Sequence, residues 1–319
     1  MENILQWGID LIRLIQSQAS PAMTKFMMSI TWLGAPTAYL ILIPYIYWCI
    51  DEKKGFRLGL AVLISAWLNI TLKFLFDQPR PFFSAYDPSL QMIPETMGGL
   101  PSGHAQNVLV MGIIIASWIK RKWAYISAAI ICLMVGFSRI YLGVHFPSDI
   151  LAGWIVGAAV LCVYFLAGKK IEELMNKGGY RVQMITIAAI AFIMILYRPD
   201  ENFIMSGALL LGLGAGYILN RHRYVKFSAY LERNGKRTAR YLVLSVRFLL
   251  GITVTALIYV LFRKITPIVH DSSFFLIVYF IRYALIGLWV GIGAPWLFCI
   301  LNLTENQTEK RIEKRAKNS

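Results

Sequence analysis

The chain has little charge, few acidic residues and few cysteines. Only 15% of its 319 residues are charged, 17 are Asp or Glu and four are Cys, whereas 57% are apolar. Soluble domains carry roughly 25% charged residues, so this composition argues against an ordinary soluble enzyme. The cysteines fall inside apolar runs without metal-ligand spacing, which argues against a disulfide framework and a zinc site. What remains is the composition of a polytopic membrane protein.

The shortage of acidic residues leaves a net charge of +15, a value that nucleic-acid-binding proteins also reach. The positions of the basic residues argue against that function. Every second loop is basic, and the basic loops lie at 51–57, 120–122, 169–181, 221–240 and 310–317. These loops hold 22 Lys and Arg residues, whereas the intervening loops hold six. Lys and Arg are retained on the cytoplasmic side of a membrane, so we predict the lipid bilayer, and no nucleic acid, as partner.

Nine apolar segments are each about as long as a bilayer-spanning helix. They lie near 27–50, 57–76, 102–119, 123–140, 148–167, 182–197, 203–219, 242–262 and 275–301. Residues 3–18 form a shorter apolar stretch that Asp10 and Arg13 interrupt, which is typical of a helix lying on the membrane surface. We therefore predict an all-α fold, a polytopic membrane helix bundle of about nine transmembrane helices with an N-terminal amphipathic surface helix.

This pattern divides the chain into four predicted regions. Residues 1–26 form the surface segment, 27–168 a core of about five spans, 169–301 an extension of about four spans, and 302–319 a basic cytoplasmic tail. In the last span, Arg282 lies about 10 Å from the outer end. A buried arginine in a membrane is costly, so we expect it to face the bundle interior, towards a substrate headgroup.

A glycine-rich run in the seventh span predicts close packing against a neighbouring helix. Its members are Gly207, Gly212, Gly214 and Gly216.

Three polar stretches lie at the non-cytoplasmic ends of the predicted spans. They are Lys73 to Arg80-Pro81, then Pro101-Ser102-Gly103-His104, and Ser138-Arg139 to His145 and Asp149. The parity of the spans brings all three to the same membrane surface. The acidic residues between the first two stretches, Asp77, Asp87 and Glu95, are interpreted as solvated loop residues.

The residue types in these stretches suit a phosphate group. Lys73 and Arg80 supply positive charge, and a guanidinium can bind two oxygens at once. Ser102 and Gly103 start a helix, where free backbone N–H groups and the helix dipole favour an anion. Gly103 has no Cβ, which allows the backbone to approach closely.

The histidines of the same stretches suit phosphoryl transfer. His104 is placed to donate a proton to a leaving oxygen. His145, oriented by the Asp149 carboxylate, can attack phosphorus as a neutral imidazole. This arrangement follows the logic of a catalytic triad with histidine as the nucleophile.

The three stretches resemble the signature of the type 2 phosphatidic acid phosphatase family, K-x6-R-P, P-S-G-H and S-R-x5-H-x3-D, without a departure. The resemblance implies a phosphatase that uses neither a metal nor another cofactor and forms a phosphohistidine. By position, His145 is the nucleophile, Asp149 its orienting group and His104 the general acid. The resemblance assigns phosphate binding to Lys73, Arg80, Ser102, Gly103 and Arg139. The nine-span layout is similar to those of sphingosine-1-phosphate phosphatase and glucose-6-phosphatase.

We therefore expect a lipid phosphate phosphatase that hydrolyses a phosphomonoester or diphosphate at the non-cytoplasmic face of a bacterial plasma membrane. A lipid-phosphate phosphotransferase and a lipid transporter or flippase on the same core remain alternatives. A vanadium haloperoxidase carries a similar anion site, but those enzymes are soluble.

Overall fold

A computed structural model describes residues 2–83, 86–198, 200–224, 237–269 and 274–304. Within these ranges the chain forms thirteen α-helices and no β-strand, so the predicted all-α class is confirmed. The helices are α1 (Glu2–Gln16), α2 (Pro21–Trp32), α3 (Pro36–Cys49), α4 (Glu52–Phe76), α5 (Gly103–Ile119), α6 (Lys122–Tyr141), α7 (Pro147–Leu166), α8 (Gly168–Lys177), α9 (Gly179–Leu196), α10 (Glu201–Leu219), α11 (Arg237–Ile265), α12 (Phe275–Leu288) and α13 (Ala294–Ile300). Most of the predicted basic tail, from residue 305 on, lies outside the described residues.

Among the described residues, seven helical segments are long and apolar enough to cross a membrane. They are Glu52–Phe76, Lys122–Tyr141, Pro147–Leu166, Gly179–Leu196, Glu201–His222, Arg240–Ile265 and Phe275–Ile300. The bent pair α2 and α3 makes an eighth if it acts as one span, and the apolar α5 is shorter, with 17 residues. The predicted polytopic helix bundle is thus confirmed, and its spans correspond to helices of the structure.

The predicted first span, 27–50, is not one continuous helix in the structure. α2 ends at Trp32, α3 begins at Pro36, and the two helices are bent by 46°. Proline lacks the N–H for a helical hydrogen bond, and its ring clashes with the carbonyl four residues earlier, here that of Trp32. The chain therefore breaks at residues 33–35 and starts a new helix with Pro36 in the first helical position.

The described helices divide into two compact units. The first consists of Met1–Leu40 and Ala61–Ile171, and the second of Ile41–Leu60 and Glu172–Ser319. In the first unit, α5 packs against α6 and α7. α7 presents glycine to α5: a Cβ on Gly153 would lie 2.6 Å from the Ser102 carbonyl oxygen, and one on Gly157 3.0 Å from the Gln106 carbonyl oxygen. The start of α5 therefore rests directly on the α7 backbone.

Helix α1 is amphipathic, as predicted, and one of its faces packs against the loop that precedes α7. The buried cluster on that face consists of Leu5, Ile9, Ile12, Leu90 and Phe146. A Cβ on Gly8 would lie 2.8 Å from the Phe146 ring, so α1 and this loop are in close contact. The opposite face exposes Ile4, Trp7 and Leu14.

In the second unit, α10 packs against α9 and α12. A Cβ on Gly212 would lie 2.1 Å from the Ala284 carbonyl oxygen, and one on Gly216 2.9 Å from the Gly291 Cα. The close helix packing that the glycine pattern predicts is confirmed.

Arg282 is buried inside the second unit, as expected from its position in the last span. Its guanidinium carbon lies 3.9 Å from the centroid of the Tyr259 ring and 5.0 Å from that of Tyr283. Aromatic rings stabilise a desolvated guanidinium through their electron-rich faces. Its orientation towards a substrate headgroup stays a prediction.

Gly212→Ala is expected to destabilise the second unit. The new methyl group overlaps the Ala284 carbonyl oxygen, and such overpacking costs about 1–3 kcal/mol. The midpoint of thermal unfolding in detergent should fall by several degrees. Gly168→Ala is the matched control, because its Cβ would meet no atom within 4 Å. Equal midpoints for the two variants would contradict this account of the packing.

Candidate active site

Four helix ends of the first unit meet and bring the three sequence motifs together. Lys73 lies in the last turn of α4, Ser102 caps the start of α5, and Arg139 lies in the last turn of α6. His145 precedes α7, and Asp149 lies in the first turn of that helix. A backbone hydrogen bond of 2.9 Å from Ser102 N to the Asp149 carbonyl oxygen ties the second motif to the third.

His145 and Asp149 form a buried pair. His145 Nδ1 lies 3.1 Å from Asp149 Oδ2, which also accepts a 3.0 Å hydrogen bond from Phe146 N. The other carboxylate oxygen accepts a 2.9 Å hydrogen bond from Gln78 Nε2. With both oxygens engaged, the carboxylate is fixed and places the imidazole proton on Nδ1. The lone pair of His145 is then on Nε2, which lies 3.2 Å from Arg80 Nη1.

The protonation state of His145 follows from its surroundings. Burial, reinforced by the positive charges of Arg80 and Lys73, holds the pKa of His145 well below its usual value. His104 is close enough to contribute to the same shift. The imidazole is therefore neutral at neutral pH, which is the form that a nucleophile requires.

Arg80 and Lys73 are both buried and held by backbone carbonyls. Arg80 donates from Nε to the Met97 oxygen at 2.5 Å and from Nη1 to the Val144 oxygen at 2.7 Å. Burial lowers the pKa of Arg80 to about 10, so the guanidinium stays charged at neutral pH. Lys73 Nζ donates to the carbonyl oxygens of residues 98 and 99, the second at 3.1 Å.

Arg139 reaches the same place from α6. Its Nη1 donates to Thr31 Oγ1 at 3.0 Å, and its Nη2 donates to Glu95 Oε1. Arg139 Nε and Ser102 Oγ are buried and have no hydrogen-bond partner among the described residues. A buried donor without a partner is costly, and an anion within reach of either group would satisfy it.

Glu95 is a member of this cluster, so its interpretation as a solvated loop residue is wrong. Its carboxylate joins two buried arginines, with Oε1 on Arg139 Nη2 and Oε2 3.3 Å from Arg80 Nη2. Asp87 also has a partner, since Arg13 Nη2 lies 2.7 Å from its carboxylate. Asp77 is exposed, as expected.

The Pro101–His104 turn is held in place by two buried side-chain amides, those of Asn69 and Gln106. Asn69 Nδ2 donates to the Pro101 oxygen at 3.2 Å and to Gln106 Oε1 at 2.8 Å. A Cβ on Gly103 would lie 2.9 Å from Asn69 Oδ1. Gly103 therefore allows this amide to approach the turn, a role that differs from the approach to phosphate predicted for it.

His104 lies in the first turn of α5, beside the break between α2 and α3. A Cβ on Gly34 would lie 3.0 Å from the His104 Cβ and Cδ2 atoms. Because Gly34 has no Cβ, the side chain of His104, a predicted catalytic residue, can pack directly against the backbone between α2 and α3. His104 is only partly buried.

The structure therefore gathers all eight predicted site residues in the first unit and adds several partners. Sequence reasoning missed Thr31, Asn69, Gln78 and Glu95. Gln78 lies inside the first motif, between Lys73 and Arg80, and this position could have indicated that it belongs to the site. The others have no spacing relation to the motifs.

Comparison with known proteins identifies the family of the chain. Residues 54–172 match the model of the PAP2 superfamily, and residues 204–307 match the model described as PAP2 superfamily phosphatase, transmembrane extension. The chain is 28% identical to an undecaprenyl-diphosphatase from Sulfolobus acidocaldarius, over 55% of this chain and 87% of that protein. It is 31% identical to phosphatidylglycerophosphatase B from Bacillus subtilis, over 49% of this chain and 81% of that protein.

A third relative is larger and extends the match. The chain is 28% identical to glucose-6-phosphatase catalytic subunit 1 from Haplochromis nubilus, over 64% of this chain and 66% of that protein. The resemblance drawn from the three motifs is confirmed. The two family models and the relative from Bacillus subtilis show that the chain belongs to the PAP2 superfamily of membrane phosphatases.

Proposed function

We propose that this protein hydrolyses a phosphomonoester or diphosphate of a lipid through a phosphohistidine at His145. The observation that carries the proposal is the buried His145–Asp149 pair, in which His145 Nε2 carries the lone pair and lies 3.2 Å from Arg80 Nη1. A neutral nitrogen with a lone pair, next to a fixed cation, is suited to attack a phosphorus atom whose oxygens that cation holds.

The reaction has two steps. In the first, His145 Nε2 attacks phosphorus, the bond to the lipid oxygen breaks, and His104 gives that oxygen a proton. In the second, His104 takes a proton from water, the water oxygen attacks phosphorus, and the phosphorus–nitrogen bond breaks to release inorganic phosphate. Asp149 stabilises the positive imidazole of the intermediate.

The remaining site residues bind the phosphoryl oxygens throughout. Lys73, Arg80 and Arg139 supply charge, and the start of α5 at Ser102 and Gly103 supplies backbone N–H groups. Fixed donors around a charge that spreads over several oxygens stabilise the transition state without reorganisation. The resemblance implies that no metal is needed for this chemistry.

The basic loops support an active site on the non-cytoplasmic side. Glu172 pairs with Lys53, 2.6 Å away, and with Arg57, so two basic loops lie at the same end of the second unit. Along α4, Lys73 is about 30 Å from Lys53 by helical rise. Because basic loops stay in the cytoplasm, the site end of α4 then faces the periplasm or the exterior of a bacterial plasma membrane.

A lipid substrate fits a site at the end of membrane helices, where the headgroup can bind while the hydrocarbon stays in the bilayer. The names of two relatives, undecaprenyl-diphosphatase and phosphatidylglycerophosphatase B, support this substrate class. The glucose-6-phosphatase relative makes a soluble sugar phosphate the competing candidate.

Purified protein in EDTA is expected to release phosphate from a lipid phosphate, because its own side chains supply the nucleophile and the charge. The assay compares undecaprenyl diphosphate, phosphatidylglycerophosphate, phosphatidate and glucose 6-phosphate. Vanadate, which mimics the five-coordinate phosphorus, should inhibit the release. Faster turnover of glucose 6-phosphate than of every lipid would refute the lipid assignment. Transfer of the phosphoryl group to an added alcohol, with none to water, would identify a phosphotransferase.

A further inference from the structure

One carboxylate in the site has no part in the proposed reaction. Glu95 lies in the irregular segment between Leu90 and Gly103 and contacts both Arg80 and Arg139. The side chains of these arginines are only 3% and 1% exposed, whereas that of Glu95 is 23% exposed. A partly exposed carboxylate thus covers two deeply buried cations.

The contacts of Glu95 are those that a phosphate needs. Each carboxylate oxygen lies on the Nη2 of a different arginine, and an Arg fork binds carboxylate and phosphate oxygens with the same geometry. Both Nη2 groups contact the same carboxylate, and the Arg80 guanidinium links this position to His145, whose Nε2 lies 3.2 Å from Arg80 Nη1. A carboxylate and a phosphate held there together would repel each other strongly in a buried site.

We propose that Glu95 occupies the phosphate position of Arg80 and Arg139 in the substrate-free protein, and that phosphate binds by displacing it. This inference rests on the proposed function only in taking phosphate as the ligand. In the absence of phosphate, Glu95 compensates the positive charges of the two buried arginines. Without this carboxylate, two unpaired buried guanidinium groups would destabilise the protein. Each phosphate compound must then compete with an internal anion for the same donors.

This competition affects how tightly the site binds the product, inorganic phosphate, and the substrate, a lipid phosphate. Free inorganic phosphate can replace Glu95 only through contacts of its own oxygens. A lipid phosphate also gains binding free energy from contacts of the rest of its headgroup and its hydrocarbon. Displacing Glu95 costs both ligands the same free energy, so Glu95 weakens the binding of product and substrate by a similar factor. The lipid phosphate offsets this loss through its other contacts, whereas inorganic phosphate does not and is released more readily. A second account, in which Glu95 only holds the arginines in place for phosphate, predicts changes of the opposite sign.

The test compares Glu95→Gln and Glu95→Ala with the unchanged protein in binding inorganic phosphate by calorimetry in detergent. Removing the carboxylate should lower the Kd for phosphate on the order of tenfold, equivalent to about 1.4 kcal/mol. Inhibition of turnover by inorganic phosphate and vanadate should strengthen by a similar factor. Without phosphate, the variants should unfold at lower temperature, and phosphate should raise their midpoint more than it raises that of the unchanged protein.

Asp77→Asn is the matched control, because it removes one negative charge from the exposed start of the same loop. Its phosphate affinity should stay within about twofold, since an exposed charge is screened by salt. Weaker or unchanged phosphate binding in both Glu95 variants overturns the inference, as does failure of both to fold even with phosphate. Tighter phosphate binding in variants of a protein that hydrolyses no lipid phosphate would uphold the inference and refute the proposed function.

Discussion

His145→Ala is expected to lower kcat for the lipid substrate by about 10⁴-fold or more, because the proposed phosphoryl acceptor is removed. The buried Asp149 carboxylate cannot take over, since its oxygens are held by Phe146 N and Gln78 and it lies behind the imidazole. Turnover of the purified variant and acid-labile labelling of the protein by radioactive substrate should both disappear.

The matched control is His222→Ala, which removes an exposed histidine of the second unit that contacts Gln183. Its turnover should remain within about twofold, as for most surface changes. Vanadate binding to the His145 variant reports whether the anion site survives the substitution. Substantial turnover or labelling in that variant would exclude His145 as the nucleophile.

His104→Ala is expected to show a loss that depends on the leaving group. With a lipid alcohol, whose oxygen must be protonated as it leaves, kcat should fall by about 10²–10⁴-fold, the usual range for general acid catalysis. With p-nitrophenyl phosphate, the leaving oxygen departs as a stabilised anion, so the first step should be nearly unaffected. The second step still needs His104 to activate water, so the phosphohistidine should accumulate.

Rapid-mixing measurements test this directly. The His104 variant should release one burst of p-nitrophenolate per active site and then turn over slowly, whereas the His145 variant should give no burst. Equal slowing of the first step with both leaving groups, and therefore no burst, would show that His104 supports the structure of the site and does not transfer the proton.

The sequence contained enough to assemble most of this site. Lys73, Arg80, His145 and Asp149 belong to motifs whose spacing is set by helix ends, and alternation of charged loops brings those ends to one surface. Glu95 could not be found in this way. Its role depends on where an irregular loop places one carboxylate, and no periodicity or spacing records that position.

The two prolines of the first predicted span show a similar limit of sequence-based prediction for the fold. Pro36 and Pro44 both lie in the first predicted span, and each removes one backbone donor. The chain breaks before Pro36, whereas Pro44 remains inside α3. The sequence alone does not distinguish the two prolines, and the break before Pro36 gives room to His104.

The contact between Gly153 and the Ser102 carbonyl has a further consequence for how this site can change. Two main chains touch there, so no rotamer can absorb a shift. A slide of α5 by one residue would move the Pro101–His104 turn by about 1.5 Å. A larger residue at 153 would therefore change the registration of Ser102 with His145, although it would touch neither the phosphate nor a charged group. Substitutions that change the substrate preference are therefore easier to accommodate in the loops and at the lipid-facing surface than at the contact between α5 and α7.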